Sequence, residues 1–324
     1  MSLNILWTGS EGFIASYAIN KLLSEGHSVW GIDNFSKYKK RRNYFNGNYF
    51  FIEADAKDTI TLIQIIKDHK INIFISAAGI IGGIQLVHEK QFDILRENEL
   101  ITLSAFDTCL NVKNTDYFQK IVIVSSSMVY ESTDIFPCKE ADVRKIVSPK
   151  TTYGFQKLMT EYFAESAYEQ YNLNYTIIRP FNVIGKTELS NFSHVVPDFI
   201  SRILQGEYPL VIYGTGEQIR HYIYAEDIAE GFYQCIVNKN ALNNDFNLST
   251  SEGTSVLELA KLIWNKLKPG KEFKYILKEG YKYDVQKNIP DVSKAKGLLN
   301  FESKTTLSNT LDIIIENVKE NLKN

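Results

Sequence analysis

Short apolar runs alternate with helical stretches along the first half of the chain, and this alternation limits the possible folds more than any other feature. Several runs are rich in Ile and Val at consecutive positions, which is typical of strands buried on both faces. Such strands occur in parallel sheets that helices cover on both sides. The predicted strands are Leu3–Thr8, Ser28–Asp33, Tyr49–Glu53, Ile71–Ser76, Ile121–Val124 and Tyr175–Ile178, and the predicted helices are Phe13–Leu23, Thr59–His69, Ile94–Val112 and Tyr153–Tyr171. The sequence therefore predicts an α/β fold with a doubly wound parallel sheet.

The first strand–helix–strand unit contains a glycine turn and a terminal acid. Gly9 and Gly12 lie between the first strand and the first helix, and Asp33 ends the second strand. Glycines allow the backbone to approach a pyrophosphate, and the helix N-terminus that follows faces the phosphates. A carboxylate about twenty residues after the turn binds the ribose hydroxyls of adenosine and would repel a 2′-phosphate. The unit therefore predicts a Rossmann-type domain that binds NAD rather than NADP.

The character of the sequence changes after Asn182, where loops become longer and contain more Gly and Pro. We expect residues 1–182 to form the NAD-binding Rossmann domain, with residues 223–246 returning to it. Residues 183–324 are expected to form a smaller C-terminal α/β region that binds the substrate. Two further helices are predicted there, at Ala225–Val237 and Val256–Leu267.

Composition excludes several functional classes. The net charge of −2 argues against a nucleic-acid partner or a membrane surface, because both need a basic face. The three cysteines are scattered and the five histidines lack ligand spacing, so neither a disulfide framework nor a metal site is predicted. No apolar run reaches transmembrane length, and the chain begins directly with a strand rather than a signal peptide. We therefore predict a cytoplasmic protein.

Tyr153 and Lys157 are candidates for acid–base chemistry. On a helix the two side chains lie one turn apart on the same face. An ammonium beside a phenol stabilises the phenolate, so we expect the pKa of Tyr153 to fall toward neutral. Such a tyrosine can take a proton from a sugar or alcohol hydroxyl. The spacing alone is not decisive, because it also occurs at Tyr17/Lys21 and Tyr283/Lys287.

Several motifs in order resemble those of the extended short-chain dehydrogenase/reductase family, in its nucleotide-sugar epimerase and dehydratase branch, and in particular UDP-glucose 4-epimerases. The matching segments are Thr8–Ala15 for TGxxGFIG, Ser125–Tyr130 for SSxxVYG, Tyr153–Lys157 for YxxxK, Arg179–Gly185 for RxFNVYG and Tyr213–Ala229 for GxGxQxRDFxYVxDxA. The resemblance spans almost the whole chain. Ala15 replaces the last glycine of the first motif, and it is still small enough for close packing of helix and strand.

The resemblance implies a set of site residues. The implied catalytic residues are Ser126, Tyr153 and Lys157. The residues expected to bind NAD are Gly9, Gly12, Phe13, Ile14, Asp33, Asn34, Ser36, Asp55, Ala56, Ala77, Ala78, Gly79, Asn98, Tyr153, Lys157 and Pro180. The residues expected to bind a nucleotide-diphosphate sugar are Gly82, Ser127, Asn182, His194, Val195, Tyr213 and Arg220. A homodimer through the helices Ile94–Val112 and Tyr153–Tyr171 is also implied, and no metal is.

The implied reaction is epimerisation at C4 of the sugar. Tyr153, as phenolate, removes a proton from the C4 hydroxyl while the hydride passes to tightly bound NAD, which leaves a transient 4-keto sugar. Ser126 binds the same oxygen. Lys157 lowers the pKa of Tyr153 and binds the nicotinamide ribose. The 4-keto sugar then turns over and takes the hydride back on its other face.

Departures from the family pattern leave more than one reaction open. Dehydratases place Asp-Glu where this chain has Ser127-Met128, which disfavours the loss of water. Gly82–Ile84 and Ser193–Pro197 resemble segments of GDP-fucose synthase, a 3,5-epimerase in which the histidine that matches His194 acts as an acid. That enzyme uses NADPH, whereas the carboxylate of Asp33 would repel the 2′-phosphate of NADPH. A nucleotide-sugar 4-dehydrogenase or reductase is also compatible with the motifs, and so is a non-catalytic NAD-sensing protein on the same fold.

Two further departures concern the substrate. His221 stands where the family has Asp after the arginine that grips the diphosphate, and Lys282 lies where a second arginine is common. Both leave the nucleotide base and the sugar undefined.

Overall fold

A computed structural model describes residues 2–37, 44, 47–81, 89–188, 194–280 and 284–321. The strands are β1 (Asn4–Thr8), β2 (Ser28–Asp33), β3 (Tyr49–Glu53), β4 (Ile73–Ser76), β5 (Lys120–Val124), β6 (Tyr175–Pro180), β7 (Val183–Ile184), β8 (Leu210–Tyr213), β9 (Ile219–Arg220), β10 (Ile223–Tyr224), β11 (Asn244–Leu248), β12 (Thr254–Ser255) and β13 (Tyr275–Lys278). The helices are α1 (Phe13–Ser24), α2 (Thr59–Asp68), α3 (Gln91–Val112), α4 (Thr152–Tyr171), α5 (Val195–Leu204), α6 (Ala225–Val237), α7 (Val256–Leu267), α8 (Ser293–Leu299) and α9 (Leu307–Asn321).

The central sheet has seven strands in the order β11-β6-β5-β4-β1-β2-β3, and neighbouring strands run parallel. Helices cover both of its faces. On one face α1 and α6 pack around Trp7 and Phe232, and on the other α2, α3 and α4 pack around Phe74 and Phe106. Because both faces are buried, the strands need apolar residues at consecutive positions. The predicted doubly wound parallel sheet is confirmed.

The strand order reverses between β1 and β4, which is where open parallel sheets bind ligands. The backbone amides of Ala77 and Ala78, just after β4, donate hydrogen bonds of 3.2 and 3.3 Å to the hydroxyl of Thr8. This contact brings the segment after β4 beside the glycine turn after β1. The two loops form the sides of one crevice.

The C-terminal part of the chain builds a second core and also adds to the first. Residues Ile200, Ile212, Ile263 and Leu311 form the second core between α5, α7, α9 and the β8–β13 pair. By contrast, β11 pairs with β6 at the edge of the central sheet, and α6 packs against α1. The chain therefore crosses from one core to the other more than once.

Element boundaries differ from the predicted ones by a few residues. The strand expected from Ile71 begins at Ile73, although the backbone of Asn72 already bonds to Asn4 and Gln119 beside the two neighbouring strands. The helix expected from Ile94 begins at Gln91, and β6 extends to Pro180. None of the helices in the described ranges is long and apolar enough to cross a membrane.

Candidate active site

Ser126 and Tyr153 meet at the carboxyl end of β5. Ser126 precedes a short 3₁₀ turn, Ser127–Tyr130, and its hydroxyl accepts a 3.2 Å hydrogen bond from the Met128 amide. Tyr153 lies in the first turn of α4, which starts there because the Thr151 hydroxyl accepts the amide of Gly154 at 3.0 Å. The Ser126 hydroxyl lies close enough to the Tyr153 phenol to lower its pKa. The structure thus brings two of the three predicted catalytic residues together.

Lys157 lies one turn further along α4. Its Nζ donates a 2.8 Å hydrogen bond to the carbonyl of Val124, the last residue of β5. That bond holds the ammonium 5.9 Å from the centroid of the Tyr153 ring and leaves two further N–H groups to donate. We call the three candidate catalytic residues Ser126, Tyr153 and Lys157 the catalytic row.

The pKa of Tyr153 moves in the direction opposite to the prediction. Burial raises it to about 12, and the nearby Ser126 hydroxyl lowers it by less. Sequence spacing predicts the place of the ammonium correctly, but it does not show that the phenol is buried, and burial penalises the phenolate. The predicted fall of this pKa toward neutral is therefore wrong for the protein alone.

Burial also lowers the pKa of Lys157, to about 8, although the nearby carboxylates of Glu99 and Glu161 raise it in part. Glu99 lies on α3, directly after Asn98, and its buried Oε1 has no hydrogen-bond partner among the residues that the structure describes. Burial raises the pKa of Glu99 to about 7. The row is therefore flanked by a carboxyl group that titrates near neutral pH.

The other two Tyr/Lys pairs have different surroundings. The Tyr17 hydroxyl accepts the amide of Lys186 at 2.8 Å, and Lys21 forms ion pairs with Glu25 and Glu230. Both side chains therefore take part in packing and surface pairing. Tyr283 lies outside the described residues.

The turn between β1 and α1 fits a bound pyrophosphate. Gly9 has φ +73°, and a Cβ there would lie 2.9 Å from the Cα of Ala78. No side chain caps the N-terminus of α1, and its first turn, which includes Phe13 and Ile14, contains no acid. The free amides there can bind an anion, helped by the helix dipole. The residues present therefore fit the phosphates of NAD.

The adenosine end is shaped by carboxylates that the backbone holds in place. Asp33 accepts the backbone amides of Glu11 at 3.1 Å and of Phe35 at 2.8 Å. The side-chain amide of Asn34 donates to Asp55 at 3.3 Å, next to the buried Ala56. The Ser36 amide in turn donates to the Asn34 side chain. Fixed negative charge at this end suits ribose hydroxyls and opposes a 2′-phosphate.

The segment under the cofactor is held by Asn98. Its side-chain oxygen accepts from the Ile80 amide at 2.7 Å, and its side-chain nitrogen donates to the Ile80 carbonyl at 3.1 Å. Asn98 therefore positions the stretch Ala77–Gly79 and does so from a buried place on α3. Pro180 is the last residue of β6. In the sheet β5 lies between β6 and β4, the strand that leads into Ala77–Gly79.

The substrate end contains one arginine at the rim of the cleft. Arg220 lies on β9 and forms an ion pair of 2.9 Å with Asp284. The buried Nδ2 of Asn182 has no hydrogen-bond partner in the described part of the chain, so it is available to a ligand. These two side chains offer donors that a diphosphate or a sugar could accept.

His194 and Tyr213 are also predicted to bind the substrate, and they differ from Arg220 and Asn182 in their partners and exposure. His194 precedes α5, which begins at Val195, and binds Glu188 through its backbone and imidazole nitrogens. Tyr213 ends β8 and is 43% exposed. His194 is therefore held by a carboxylate rather than aimed freely at a ligand.

Several residues that the sequence predictions used fall outside the described residues, as Tyr283 does: Gly82–Ile84, Ser193 and Lys282. Arg179, the first residue of the segment that resembles RxFNVYG, is fully buried and forms ion pairs with Glu161 and Asp245. It braces the core behind the catalytic row.

Three residues near the row are missing from the sequence predictions: Glu99, Glu131 and Asn288. Glu131 binds the backbone amide and hydroxyl of Thr151, and Asn288 donates to Ser127 at 3.0 Å. Glu131 does leave a signal, because it follows Tyr130 where the SSxxVYG motif has glycine. Glu99 and Asn288 carry no such signal, since tertiary packing alone brings them to the site.

Metal binding has no support in the ranges that the structure describes. No group of three or more His, Cys, Asp or Glu side chains in those ranges could hold a metal ion. The catalytic row itself offers hydroxyl, phenol and ammonium groups.

Comparison with known proteins gives the same pattern over nearly the full length. The model of the NAD dependent epimerase/dehydratase family matches residues 5–249. UDP-glucuronic acid decarboxylase 1 of Xenopus tropicalis is 27% identical over 322 residues, which cover 98% of this chain and 73% of the relative.

Solved structures are similar as well. The UDP-glucose 4-epimerase of Thermotoga maritima, solved with UDP-glucose, is 29% identical with a TM-score of 0.86 over 99% of this chain and 100% of the other. MoeE5, solved with UDP-glucose and NAD, is 25% identical with a TM-score of 0.83 over 98% of this chain and 99% of the other. The family match covers most of the chain, and the glycine turn and carboxylates fit the cofactor. The protein is therefore an enzyme of the NAD-dependent epimerase/dehydratase family, a branch of the extended short-chain dehydrogenases, and NAD is its cofactor.

Proposed function

We propose that the protein epimerises UDP-hexoses at C4. The observation that carries this proposal is the catalytic row, in which Ser126 lies near the Tyr153 phenol and the Lys157 ammonium lies 5.9 Å from the centroid of the Tyr153 ring. Next to Ser126 the chain has Ser127 and Met128, and a thioether cannot supply the proton that elimination of water requires. The choice of UDP is supported by the relatives that are named for UDP-sugars.

The row handles the C4 proton. Tyr153 takes the proton of the C4 hydroxyl and later returns it, so the reaction needs no net proton exchange with water. Ser126 binds the same sugar oxygen and fixes its distance from the phenol. Lys157 has two N–H groups left after its bond to Val124, and its charge favours the phenolate.

Burial keeps Tyr153 neutral in the protein alone, since its pKa is about 12. Forming the phenolate near pH 7 therefore needs more positive charge than Lys157 supplies in this geometry. When bound, NAD would supply the acceptor and donor for the C4 hydride, and its oxidised nicotinamide ring would add a positive charge near Tyr153. We infer that proton removal by Tyr153 is coupled to cofactor binding, and that the protein without cofactor cannot ionise Tyr153 at neutral pH.

Other residues orient the substrate. Arg220 would bind the diphosphate in exchange for Asp284, and the unpartnered amide of Asn182 would donate to a sugar or phosphate oxygen. We assign substrate binding mainly to the region after residue 183, and NAD binding to residues 1–182.

Decarboxylation is the second candidate, because UDP-glucuronic acid decarboxylase 1 of Xenopus tropicalis matches 98% of this chain. Oxidation at C4 of a hexuronic acid yields a β-keto acid, which loses CO₂ readily. The same row could therefore begin either reaction, and the group at C6 of the substrate would decide the outcome. The 3,5-epimerase and the net 4-dehydrogenase or reductase are rivals that the same assay separates.

Incubation with sugars labelled with deuterium at C4 tests the proposal. The purified protein with its bound cofactor is given UDP-glucose, UDP-galactose, UDP-N-acetylglucosamine and UDP-glucuronic acid. Epimers that keep the deuterium at C4, without accumulation of NADH, are the expected result. Release of CO₂ would establish the decarboxylase instead, stoichiometric NADH the dehydrogenase, and solvent hydrogen at C3 or C5 the 3,5-epimerase.

We also propose a homodimer through α3 and α4. Ile94, Phe106 and Leu158 face the interior, whereas Leu103 and Phe155 on the outer side are each 43% exposed. Exposed apolar side chains on two adjacent helices suit burial against a second copy. Light scattering in solution should give twice the mass of 37.1 kDa, and Leu103→Lys should restore the mass of a single chain.

The cellular location is proposed to be the cytoplasm. All three cysteines are buried and free, and thiols in that state fit a reducing compartment. Fractionation of the native host would check this.

A further inference from the structure

Residues 284–291 form a strap that joins the two ends of the substrate site. At one end Asp284 pairs with Arg220, and the Gln286 carbonyl accepts the amide of Ile219 at 2.9 Å. At the other end the carbonyl of residue 289 accepts the amide of Cys138 at 2.7 Å, and the amide of residue 291 donates back to the Cys138 carbonyl at 2.9 Å. The strap therefore runs from the arginine at the rim to the loop that follows the catalytic strand β5.

Asn288 lies in the middle of this strap and points inward. It is only 6% exposed, and its Nδ2 donates a 3.0 Å hydrogen bond to the hydroxyl of Ser127, which is equally buried. Ser127 is the direct neighbour of Ser126 in the catalytic row. The strap thus reaches the reacting end of the site through one side-chain contact.

The direction of this hydrogen bond follows from the atom of Asn288 that faces Ser127, which is the amide nitrogen. An amide nitrogen can only donate, so the Ser127 oxygen must accept. The proton of the Ser127 hydroxyl is then directed elsewhere, and the hydroxyl can act as a donor to a second group. Oxygen atoms of a sugar ring, and a keto oxygen above all, need donors rather than acceptors.

We propose that Asn288 is a positioning residue that orients the Ser127 hydroxyl as a hydrogen-bond donor to the hexose. This inference rests on the proposed function, since it assumes a nucleotide sugar in the cleft. The Ser127 hydroxyl is then the donor that recognises the hexose, and the strap sets its orientation through Asn288. The same strap carries the carboxylate that pairs with Arg220.

Asn288→Asp tests the direction of the bond without changing the shape of the side chain. A carboxylate accepts, so the Ser127 proton would turn toward residue 288 and away from the sugar. We expect UDP-hexose to bind about tenfold more weakly and kcat/KM to fall by a similar factor, whereas binding of UDP alone should stay within about twofold. Lys287→Ala, which removes an exposed neighbouring side chain of the strap, should change neither quantity.

A double-mutant cycle shows whether the effect passes through Ser127. In a Ser127→Ala background, Asn288→Asp should cause little further loss of UDP-hexose affinity. Equal losses in both backgrounds, or wild-type affinity in a folded Asn288→Asp protein, would overturn the inference. Should Asn288→Asp not fold, Asn288→Ala and Asn288→Ser are measured in the same cycle, and the same two outcomes apply.

Binding and turnover measurements together distinguish a failure of the proposed function from a failure of the role of Asn288. If the wild-type protein bound UDP-hexose more tightly than UDP and lost that difference in Asn288→Asp, yet epimerised nothing, only the proposed reaction would be wrong. If UDP-hexose and UDP bound equally to the wild-type protein, no sugar contact would exist for Asn288 to orient, and the inference would be overturned.

Discussion

Ser125 and Ser126 are neighbours after β5, yet they belong to two regions of opposite character. The Ser125 hydroxyl donates to Glu161 at 2.5 Å, behind the sheet end, and Arg179 donates to both oxygens of the same carboxylate at 2.8 and 2.7 Å. Asp245 pairs with the remaining side of Arg179 at 2.8 Å. We call this group the rear network; it consists of Ser125, Tyr130, Glu161, Arg179 and Asp245. Each charged side chain in it is in direct contact with a side chain of opposite charge.

The catalytic row in front of it is built differently. Tyr153 is buried and Lys157 partly buried, and no carboxylate is in direct contact with either in the described part of the chain. Their pKa values consequently shift toward the neutral forms, whereas the surrounding carboxylates keep Arg179 charged by raising its pKa further. Complete pairing makes a charge structural, while incomplete pairing leaves a group able to change its protonation state.

The largest expected effect is that of Tyr153→Phe. Removing the phenol should lower kcat/KM for UDP-hexose by roughly 10³-fold, as is typical when a general acid–base group is lost. The free energy of unfolding should change by no more than about 1 kcal/mol, because within the described residues the phenol interacts with the side chain of Ser126 alone. Steady-state kinetics and chemical denaturation measure the two quantities.

Tyr130→Phe is the matched control, since Tyr130 belongs to the rear network. Its hydroxyl donates to Asn247 at 3.0 Å and accepts from Arg179 at 3.1 Å. This variant should lose about 1–3 kcal/mol of stability through the unsatisfied partners and keep most of its turnover. Equal turnover in the two variants would remove Tyr153 from the reaction and erase the distinction between the two regions.

The next effect concerns stability alone. Arg179→Met leaves the Glu161 carboxylate buried without its partner, which should cost at least about 3 kcal/mol of the free energy of unfolding. Arg144→Met is the control, because Arg144 forms a partly exposed ion pair with Glu165, and exposed pairs contribute about 0–1 kcal/mol. Urea denaturation gives both values, and similar losses would mean that the rear network is not what braces the core.

The two regions also differ in how far the sequence predicts them. The parallel sheet, the glycine turn and the spacing of Tyr153 and Lys157 depend on local patterns, and the structure contains all three. The rear network does not follow from the sequence, because Glu161, Arg179 and Asp245 lie on different elements and meet only after the sheet forms.

Protonation states cannot be predicted from the sequence for the same reason. The pKa of Tyr153 depends on how deeply the fold buries the phenol, and residue spacing does not report burial. The same holds for Glu99, which follows Asn98 on α3 and looks in the sequence like any helical acid. Its charge state is decided by the tertiary packing around it.

The smallest expected effect is pH-dependent and concerns Glu99. Burial raises its pKa to about 7 in the folded state, above the unfolded value. The folded protein therefore loses stability as the pH rises from about 4.5 to 7, and the loss persists at higher pH. Glu99→Gln mimics the protonated form, so we expect it to be more stable than the wild type by about 1–2 kcal/mol at pH 8, allowing for partial solvent screening, and equal at about pH 4.5. Differential scanning calorimetry at both pH values measures this.

Glu97→Gln, two residues earlier on α3, should show the opposite sign. Glu97 bonds Lys57 at 2.6 Å, and that bond lowers its pKa, so removing the charge cannot stabilise the protein at about pH 8. Since Glu99 raises the pKa of Lys157, Glu99→Gln should also shift the titration of Lys157 to lower pH and move the basic limb of the kcat profile with it. A stability gain without that movement would show that Glu99 is merely a buried acid, whereas both changes together would make it part of the electrostatics of the catalytic row.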